Sequence, residues 1–190
     1  MSDVTLRNAV INPNGLKIRE EGQAEVFAIT VNEFENVSAR TRLSFAWTIV
    51  PANFANGGTL LIVQCDSDTL ILHIEEVIIQ TDNSSAVQIH LTDRATLALT
   101  GGTLVTGVCW NQTAPRVAPA IARSNETANA QGNIIWDFPV AANEHIVAEM
   151  HGAVLLAKGQ SLAVDITTAP TSLASCSIHG FFVIPDESRV

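Results

Sequence analysis

Apolar residues in this chain recur at every second position far more often than with the 3.6-residue period of a helix, and many are β-branched. A period of two places the apolar side chains on one face of an extended strand. β-branched residues fit the pleated, half-buried surface of a sheet. The pattern predicts an all-β protein with strands at residues 24–31, 42–50, 59–65, 69–80, 86–91, 103–110, 133–136, 146–156, 161–167 and 174–184.

Short connections rich in Gly, Asp, Asn and Ser separate these strands. About ten strands at such regular spacing are typical of a two-sheet sandwich or a barrel. Short connections also favour antiparallel hairpins. We therefore predict a two-sheet antiparallel sandwich or a barrel, in which 59–65 pairs with 69–80 and 146–156 pairs with 161–167.

The two faces of the strand at 161–167 differ in polarity. One face carries the branched apolar residues Leu162, Val164 and Ile166, whereas the other includes Asp165. This alternation predicts one buried face and one face in contact with water.

The segment 69–80 changes phase in its middle. Leu70, Leu72 and Ile74 lie at even positions, whereas Val77 and Ile79 lie at odd positions. Since a β-bulge inserts one extra residue into a strand, a bulge near Glu75 and Glu76 would keep all of these apolar side chains on one face.

The chain is predicted to consist of an N-terminal arm, residues 1–22, and one domain, residues 23–190. Residues 1–22 are polar and contain a turn sequence at 12–15, which favours an arm, whereas no linker divides residues 23–190. The segment 111–132 shows neither period and is predicted to be a long connection. The first residues lack the basic and apolar regions of a secretion signal, so we expect synthesis in a cytoplasm.

Composition excludes several classes of partner. The formal charge is −9, and the chain has two lysines, Lys17 and Lys158. Nucleic acids and anionic membranes select clustered Lys and Arg, so we expect neither as a partner. No apolar stretch reaches the roughly 20 residues of a membrane helix. Three cysteines without a CxxC pair are expected to be buried free thiols.

Motifs that mark common enzyme classes are missing from the sequence. It contains no GxSxG, P-loop, GxGxxG, HExxH or CxxC pattern. His90 and His179 are expected to be hydrogen-bonded strand histidines, and a Ser-His-acid triad is recognised by geometry rather than by sequence. We therefore assign no catalytic residue and no cofactor, and expect a protein that is not an enzyme.

One alternative is a cupin-like metalloenzyme. His73 and Glu75 are two residues apart on a predicted strand, as are Glu149 and His151, so the side chains of each pair share a face. His145 lies on the same parity as the second pair. The sequence lacks the HxH pattern of cupins, and a closed metal site needs three or four convergent ligands, so we predict no metal site.

The aromatic residues suggest where the chain contacts other molecules. Trp47 lies with Phe45 in an apolar strand and is expected in the core. Trp110 and Trp136 flank the polar segment 111–132, where they either close the ends of the sandwich or anchor a subunit interface. The interface that we predict, with a subunit or another partner, comprises Trp110, Arg116, Arg123, Asn125, Trp136 and Phe181.

Four passages of the chain are similar to a known group of proteins. They are EVFAIT at 25–30, GTLLIV at 58–63 leading through an aspartate turn into LILHIEE at 70–76, TGGT at 100–103 with WN at 110–111, and ARSNETA at 122–128 with QGN at 131–133. In these phrases the chain resembles the β-rich virion accessory proteins of tailed bacteriophages, the jelly-roll decoration or cement proteins. The resemblance implies a jelly roll, often trimeric, that stabilises a capsid from its outer surface, with the arm as a clasp.

The last strand has a second likeness. The sequence GFFVI at 180–184 is similar to the C-terminal strand of the trimeric jelly rolls of the tumour-necrosis-factor and C1q type, which implies that Phe181 or Phe182 lies near a threefold axis.

Our leading hypothesis is therefore a homotrimeric decoration protein on a phage capsid, bound to the major capsid protein or another virion protein and made in the host cytoplasm. The alternative is a ligand- or receptor-binding module of a virion tail or fibre.

Overall fold

The computed structural model describes residues 16–18, 24–26, 43–52, 59–92, 99–113, 115–126, 132–167 and 173–185. The chain divides into two compact units, Met1–Asn32 and Glu33–Val190. In the first unit, β1 (Leu16–Ile18) pairs antiparallel with β2 (Ala24–Val26). The rest of the predicted arm, and residues 27–31 of the predicted strand 24–31, lie outside the described residues.

The second unit contains eleven strands in its described part. They are β3 (Ser44–Ala52), β4 (Thr59–Cys65), β5 (Ile71–Thr81), β6 (Ser85–Thr92), β7 (Thr103–Leu104), β8 (Val108–Cys109), β9 (Ala120–Ser124), β10 (Asn133–Val140), β11 (His145–Leu156), β12 (Ser161–Ile166) and β13 (Ala174–Val183). Within the described ranges, no helix is long and apolar enough to cross a membrane.

These strands form two antiparallel sheets. One has the order β10-β6-β12-β4-β9-β7 and the other the order β11-β5-β13-β3-β8. One apolar core joins strands of both sheets, with fully buried side chains such as Leu61 and Ile89 from the first and Ile74 and Ile178 from the second. The prediction of an all-β, two-sheet antiparallel sandwich is confirmed.

The eight longest strands pair from the outside of the sequence inward. The first, β3, pairs with the last, β13, and β4 pairs with β12. In the same way β5 pairs with β11, and β6 with β10. The short strands β7, β8 and β9 extend the sheets at the edges beyond β4 and β3.

The two predicted hairpins are wrong. β4 and β5 lie in different sheets, and so do β11 and β12. Their turns bond to each other instead, because the Cys65 N–H donates to the Gln160 carbonyl (3.0 Å) and the Gly159 N–H donates to the Cys65 carbonyl (2.8 Å). The connections cross between the sheets, so each short turn leads a strand from one side of the core to the other.

The predicted bulge in the strand at 69–80 is confirmed. In the ladder between β13 and β5, His179 lies opposite Glu76 and Gly180 opposite Ile74, which leaves Glu75 as the extra residue. Leu72 and Ile74 before the bulge and two apolar residues after it are all fully buried. The bulge therefore keeps both halves of β5 facing the core.

Predictions for individual buried residues have mixed outcomes. Phe45 and Trp47 are fully buried and pack with Phe182, as expected of core aromatics. The three cysteines are buried and free, as predicted. The wetter face predicted for the strand at 161–167 is wrong over β12, since Ala163 and Asp165 are buried as well.

The outer face of β12 is buried because other parts of the chain cover it. Leu99 and Ile121 pack there against Ala163 and Ile62 in a small second apolar cluster. The alternation along β12 depends only on the residues of β12. It therefore could not predict that other segments of the chain bury the outer face of this strand.

The region around 103–132 also differs from the prediction. The expected strand 103–110 is two short strands, β7 and β8, which lie in different sheets. The expected connection 111–132 contains β9, which pairs with β4 from Ala120 to Arg123. The two faces of β9 differ little in polarity, because two of its residues are small alanines. The strand is therefore recognised by its pairing with β4 rather than by a sequence pattern.

Candidate functional site

One side of the sandwich exposes a row of large apolar residues. β10 is the outer strand of the six-stranded sheet and β11 is the outer strand of the five-stranded sheet. A turn connects them, with the Asn143 N–H bound to the Thr81 carbonyl at 2.9 Å, so both outer strands lie on the same side. We call the exposed apolar residues on these strands the apolar edge: Ile134, Ile135, Trp136, Val147 and Leu155.

The side chains of the apolar edge are exposed to solvent although they are large and apolar. Ile134, Ile135 and Trp136 are consecutive and 39–52% exposed, so both faces of β10 present apolar groups to solvent. A register shift between Ile134 and Trp136 bulges the strand there. A cavity of about 250 Å³ opens beside it, lined by Leu91, Thr92, Asn133, Leu155, Leu156 and Gln160.

The two predicted interface tryptophans are both exposed but lie far apart in the sheet order. Trp110 is 50% exposed and follows β8, the strand at the opposite edge of the five-stranded sheet from β11. Trp136 lies on β10, on the other side of the sandwich. The structure therefore places them at opposite sides rather than in one patch.

The other four predicted interface residues have varied surroundings. Arg116 and Asn125 are exposed, and Asn125 has a φ of 53°. Nη1 of Arg123 donates a 2.8 Å hydrogen bond to the Gly101 carbonyl and so stabilises a turn of its own chain. Phe181 is 1% exposed and stacks on His73 at 4.9 Å between ring centroids. The six residues do not form one surface.

A second feature is a line of hydrogen-bonded polar side chains on the five-stranded sheet, which we call the polar array: Thr48, Ser177, His179 and Glu76. Oγ of Ser177 lies 2.9 Å from Nε2 of His179, and Nδ1 of His179 lies 2.6 Å from Oε1 of Glu76. Oγ1 of Thr48 is 2.7 Å from Oγ of Ser177. A continuous chain of hydrogen bonds thus crosses β3, β13 and β5.

Strand alternation and the bulge build the polar array. Cys176 and Ile178 point into the core, so Ser177 and His179 point to the opposite face of β13. The register places Thr48 opposite Ser177 and, through the bulge at Glu75, places Glu76 opposite His179.

The immediate surroundings hold the imidazole in place. The side chain of His179 is 13% exposed and that of Glu76 is 31% exposed. The ring of Trp110 meets that of His179 edge to face, with 5.4 Å between the centroids. With its Nδ1–H bound to the carboxylate, neutral His179 has an Nε2 lone pair that accepts a proton or a hydrogen bond.

Sequence reasoning missed the polar array as a unit. It predicted a hydrogen-bonded strand histidine at 179, and this is confirmed, but it did not connect His179 with Ser177 or Glu76. The one signal available was Ser-x-His on a predicted strand, because two residues at that spacing share a face.

The residues considered for a metal do not converge. His151 and Glu149 lie 3.4 Å apart and are exposed, whereas His73 stacks on Phe181. Among the residues that the structure describes, no three His, Cys, Asp or Glu side chains are placed to hold a metal ion. The hydrogen bond predicted for His90 is wrong, because both of its ring nitrogens are buried without a hydrogen-bond partner among the described residues. Its Nε2 lies 3.4 Å from Oδ2 of the buried Asp165.

Comparison of the chain with protein-family models, with curated proteins and with solved structures found no match. The sheet topology itself places the chain in the class of antiparallel β-sandwiches.

Proposed function

We propose that this protein is a structural component of a bacteriophage virion, a decoration or cement protein that binds the outer surface of the capsid as an oligomer. The phrases at 58–76 and 100–111, which resemble those of phage decoration proteins, support this assignment. Its partners are then the major capsid protein or another virion protein and further copies of the same chain, and its location is the capsid surface.

We also propose that the sandwich is a jelly roll. The pairing of β3 with β13, β4 with β12, β5 with β11 and β6 with β10 supports this, because a long hairpin rolled into two sheets pairs its strands in this order.

The apolar edge is the observation that carries the proposal of an oligomer. Soluble monomers rarely expose large apolar patches, and an outer strand of a sheet is a surface for association. Among the described strands, β10 and β11 are outer strands. Ile134, Ile135 and Trp136 lie on β10, and Val147 and Leu155 lie on β11. Burial of aromatic and aliphatic side chains would drive the contact.

The lack of charge at this edge makes it the part of the surface where a second copy meets the least repulsion. Each chain carries a formal charge of −9, so two copies repel each other except where the contact surface has few charges. The five residues of the apolar edge are uncharged. A closed ring of three copies, each burying this edge, would leave the charged surface in water.

The oligomer is tested by light scattering after size exclusion at several concentrations. We expect a concentration-independent mass of about three times the 20.3 kDa chain. Ile134→Asp with Trp136→Asp should give monomers, because charges cannot be buried unpaired at the contact. Val117→Asp is the matched control, since Val117 is exposed outside the apolar edge. A wild-type monomer would contradict the proposal.

The capsid assignment is tested separately. Capsids of the virus that encodes the chain, prepared without it, should bind the purified protein saturably and resist heat better afterwards. Absence of binding to both immature and expanded capsids would contradict the assignment while leaving the oligomer intact.

A second candidate is a ligand- or receptor-binding module of a virion tail or fibre. The exposed ring of Trp110 beside polar side chains favours it, because a flat aromatic face next to hydrogen-bonding groups is a surface suited to sugars. A glycan screen should then yield saturable binding that Trp110→Ala abolishes and Trp136→Ala leaves unchanged.

A further inference from the structure

We propose that Ser177 is an activated nucleophile that accepts the acyl group of small reactive esters, with His179 as its general base and Glu76 as the residue that positions His179. Virion assembly does not require this chemistry, so the inference goes beyond the proposed function and stands apart from it. It rests on three side chains whose atoms lie in the order that serine acyl transfer needs.

The contacts involve the correct atom of each residue. A general base must lie within about 2.6–3.2 Å of the proton donor, and Nε2 of His179 lies 2.9 Å from the hydroxyl oxygen of Ser177. The other ring nitrogen, Nδ1, lies 2.6 Å from Oε1 of Glu76. That arrangement fixes the ring orientation and favours the neutral tautomer whose free lone pair faces the serine.

The direction of every hydrogen bond follows from this tautomer. His179 donates its Nδ1–H to Glu76, and Ser177 donates its hydroxyl proton to Nε2. Since Ser177 has only one proton, the Thr48 hydroxyl must donate to the Ser177 oxygen at 2.7 Å. Each of these three protons then has one assignment, and the Ser177 oxygen keeps one lone pair with which to attack.

The reaction balances without a further reagent. As the Ser177 oxygen forms a bond to the ester carbonyl carbon, its proton passes to Nε2 of His179. The tetrahedral intermediate then expels the alcohol, which takes that proton as the carbon–oxygen bond breaks. His179 then takes a proton from water as the water oxygen attacks the acyl carbon. The carboxylic acid leaves as this proton passes to the Ser177 oxygen, which restores the hydroxyl.

The surroundings define the class of substrate. The Thr48 hydroxyl is the donor beside the attacking oxygen, where it can turn to the negative oxygen that develops on the bound carbonyl. The Trp110 ring next to His179 offers an apolar wall. The polar array lies on a sheet face and does not line the cavity beside the apolar edge. Little binding energy is therefore available, and small, reactive acetyl or butyryl esters are the expected substrates.

The primary test measures covalent labelling by intact-protein mass spectrometry. The full chain is incubated with a fluorophosphonate, and the labelled peptide is identified. We expect one equivalent on Ser177, none on Ser177→Ala, and labelling at least 100-fold slower for His179→Gln. Ser175→Ala is the matched control, because Ser175 is the same residue type on the same strand and face, and it should label like the wild type.

Hydrolysis of p-nitrophenyl acetate separates a serine nucleophile from a simple imidazole effect. We expect a burst of nitrophenol in the wild type and no burst in Ser177→Ala. Retention of hydrolysis by Ser177→Ala with loss in His179→Gln would mean that the imidazole attacks the ester itself, and that result would overturn the proposal. No labelling of the wild type, or labelling at another serine, would overturn it equally.

Two measurements keep a folding defect apart from a chemical one. Ser177→Ala should melt close to the wild type, since Ser177 lies on the outer face of β13. His179→Gln loses the contact with Glu76 and should melt a few degrees lower, but it should still unfold cooperatively well above the assay temperature. The positioning role of Glu76 is read from the nitrogen NMR shifts of neutral His179. They should report the Nδ1–H tautomer in the wild type and a tautomer mixture in Glu76→Ala, together with slower labelling.

Discussion

Nδ1 of His179 lies 2.6 Å from Oε1 of Glu76, although the two residues are 103 positions apart in the sequence. Both side chains are largely shielded from water, so this contact should contribute to stability. In a double-mutant cycle with Glu76→Ala and His179→Ala, we expect a coupling free energy of about 1–2 kcal/mol from chemical denaturation.

A matched control for this cycle exists on β11. Glu149 and His151 also form a carboxylate–imidazole pair, but at 3.4 Å and with both side chains exposed. Exposed pairs contribute about 0–1 kcal/mol, so the corresponding cycle should give a clearly smaller coupling. Equal couplings in the two cycles would contradict the expected role of the His179–Glu76 contact.

Gly180 is required by the close approach of β13 to β5. A Cβ atom at this position would lie 2.6 Å from the His73 carbonyl oxygen and 3.0 Å from Cδ1 of Leu72. Because the first of these is a backbone atom, the strands would have to separate. Gly180→Ala should therefore lower the free energy of unfolding by about 1–3 kcal/mol, measured by denaturant titration. Ser175→Ala on the same strand should change it by less than about 0.5 kcal/mol.

Val164 lies in the middle of β12 and is fully buried between β4 and β6. Val164→Asp would place a carboxylate in the core without a partner, so we expect a loss of about 4 kcal/mol or more and an unfolded or molten chain by circular dichroism. Val117→Asp makes the same chemical change at a site that is 91% exposed, and it should melt like the wild type. An unchanged melting temperature for Val164→Asp would rule out this packing.

The fold shows which features local patterns can predict. A run of apolar, β-branched residues located β4, and the change of phase in the alternation of β5 predicted the bulge at Glu75, because both depend on which side chains must avoid water. The same pattern could not assign β4 and β5 to different sheets. Both sheets bury a face against one core, so alternation is identical whether a short turn closes a hairpin or crosses the sandwich.

The polar array depends on register, which the sequence does not carry locally. Ser177 and His179 share a face by spacing alone, and this much could be predicted. Nothing in the local sequence distinguishes Glu75 from Glu76 as an acidic neighbour of His179. The bulge makes Glu75 the extra residue of β5 and sets Glu76 opposite His179, and this register arises only when β5 pairs with β13.

The apolar edge depends on tertiary context as well. The short apolar run in 133–136 predicted a strand but gave no sign of its place at the outside of the sheet. Ile134, Ile135 and Trp136 are exposed because β10 has a neighbour, β6, on one side only among the described strands. Exposure of apolar residues is therefore a property of the sheet order rather than of the strand sequence.

The buried thiol of Cys176 should make the fold sensitive to alkaline pH. Burial raises the pKa of this thiol far above its ordinary value of 9.0, so it stays protonated in the folded chain. Above about pH 9 the unfolded chain releases that proton and the folded chain does not. The unfolded state then binds fewer protons, and stability falls as pH rises.

Burial also raises the pKa of Cys65, so this thiol adds to the alkaline loss of stability. Each thiol that ionises only on unfolding lowers the unfolding free energy by up to about 1 kcal/mol per pH unit above pH 9. Denaturant titrations between pH 8 and 11 should therefore give a shallower decline for Cys176→Ala than for the wild type, whatever the packing cost of the smaller side chain. Parallel declines would mean that Cys176 ionises in the folded chain, which its complete burial in the core opposes.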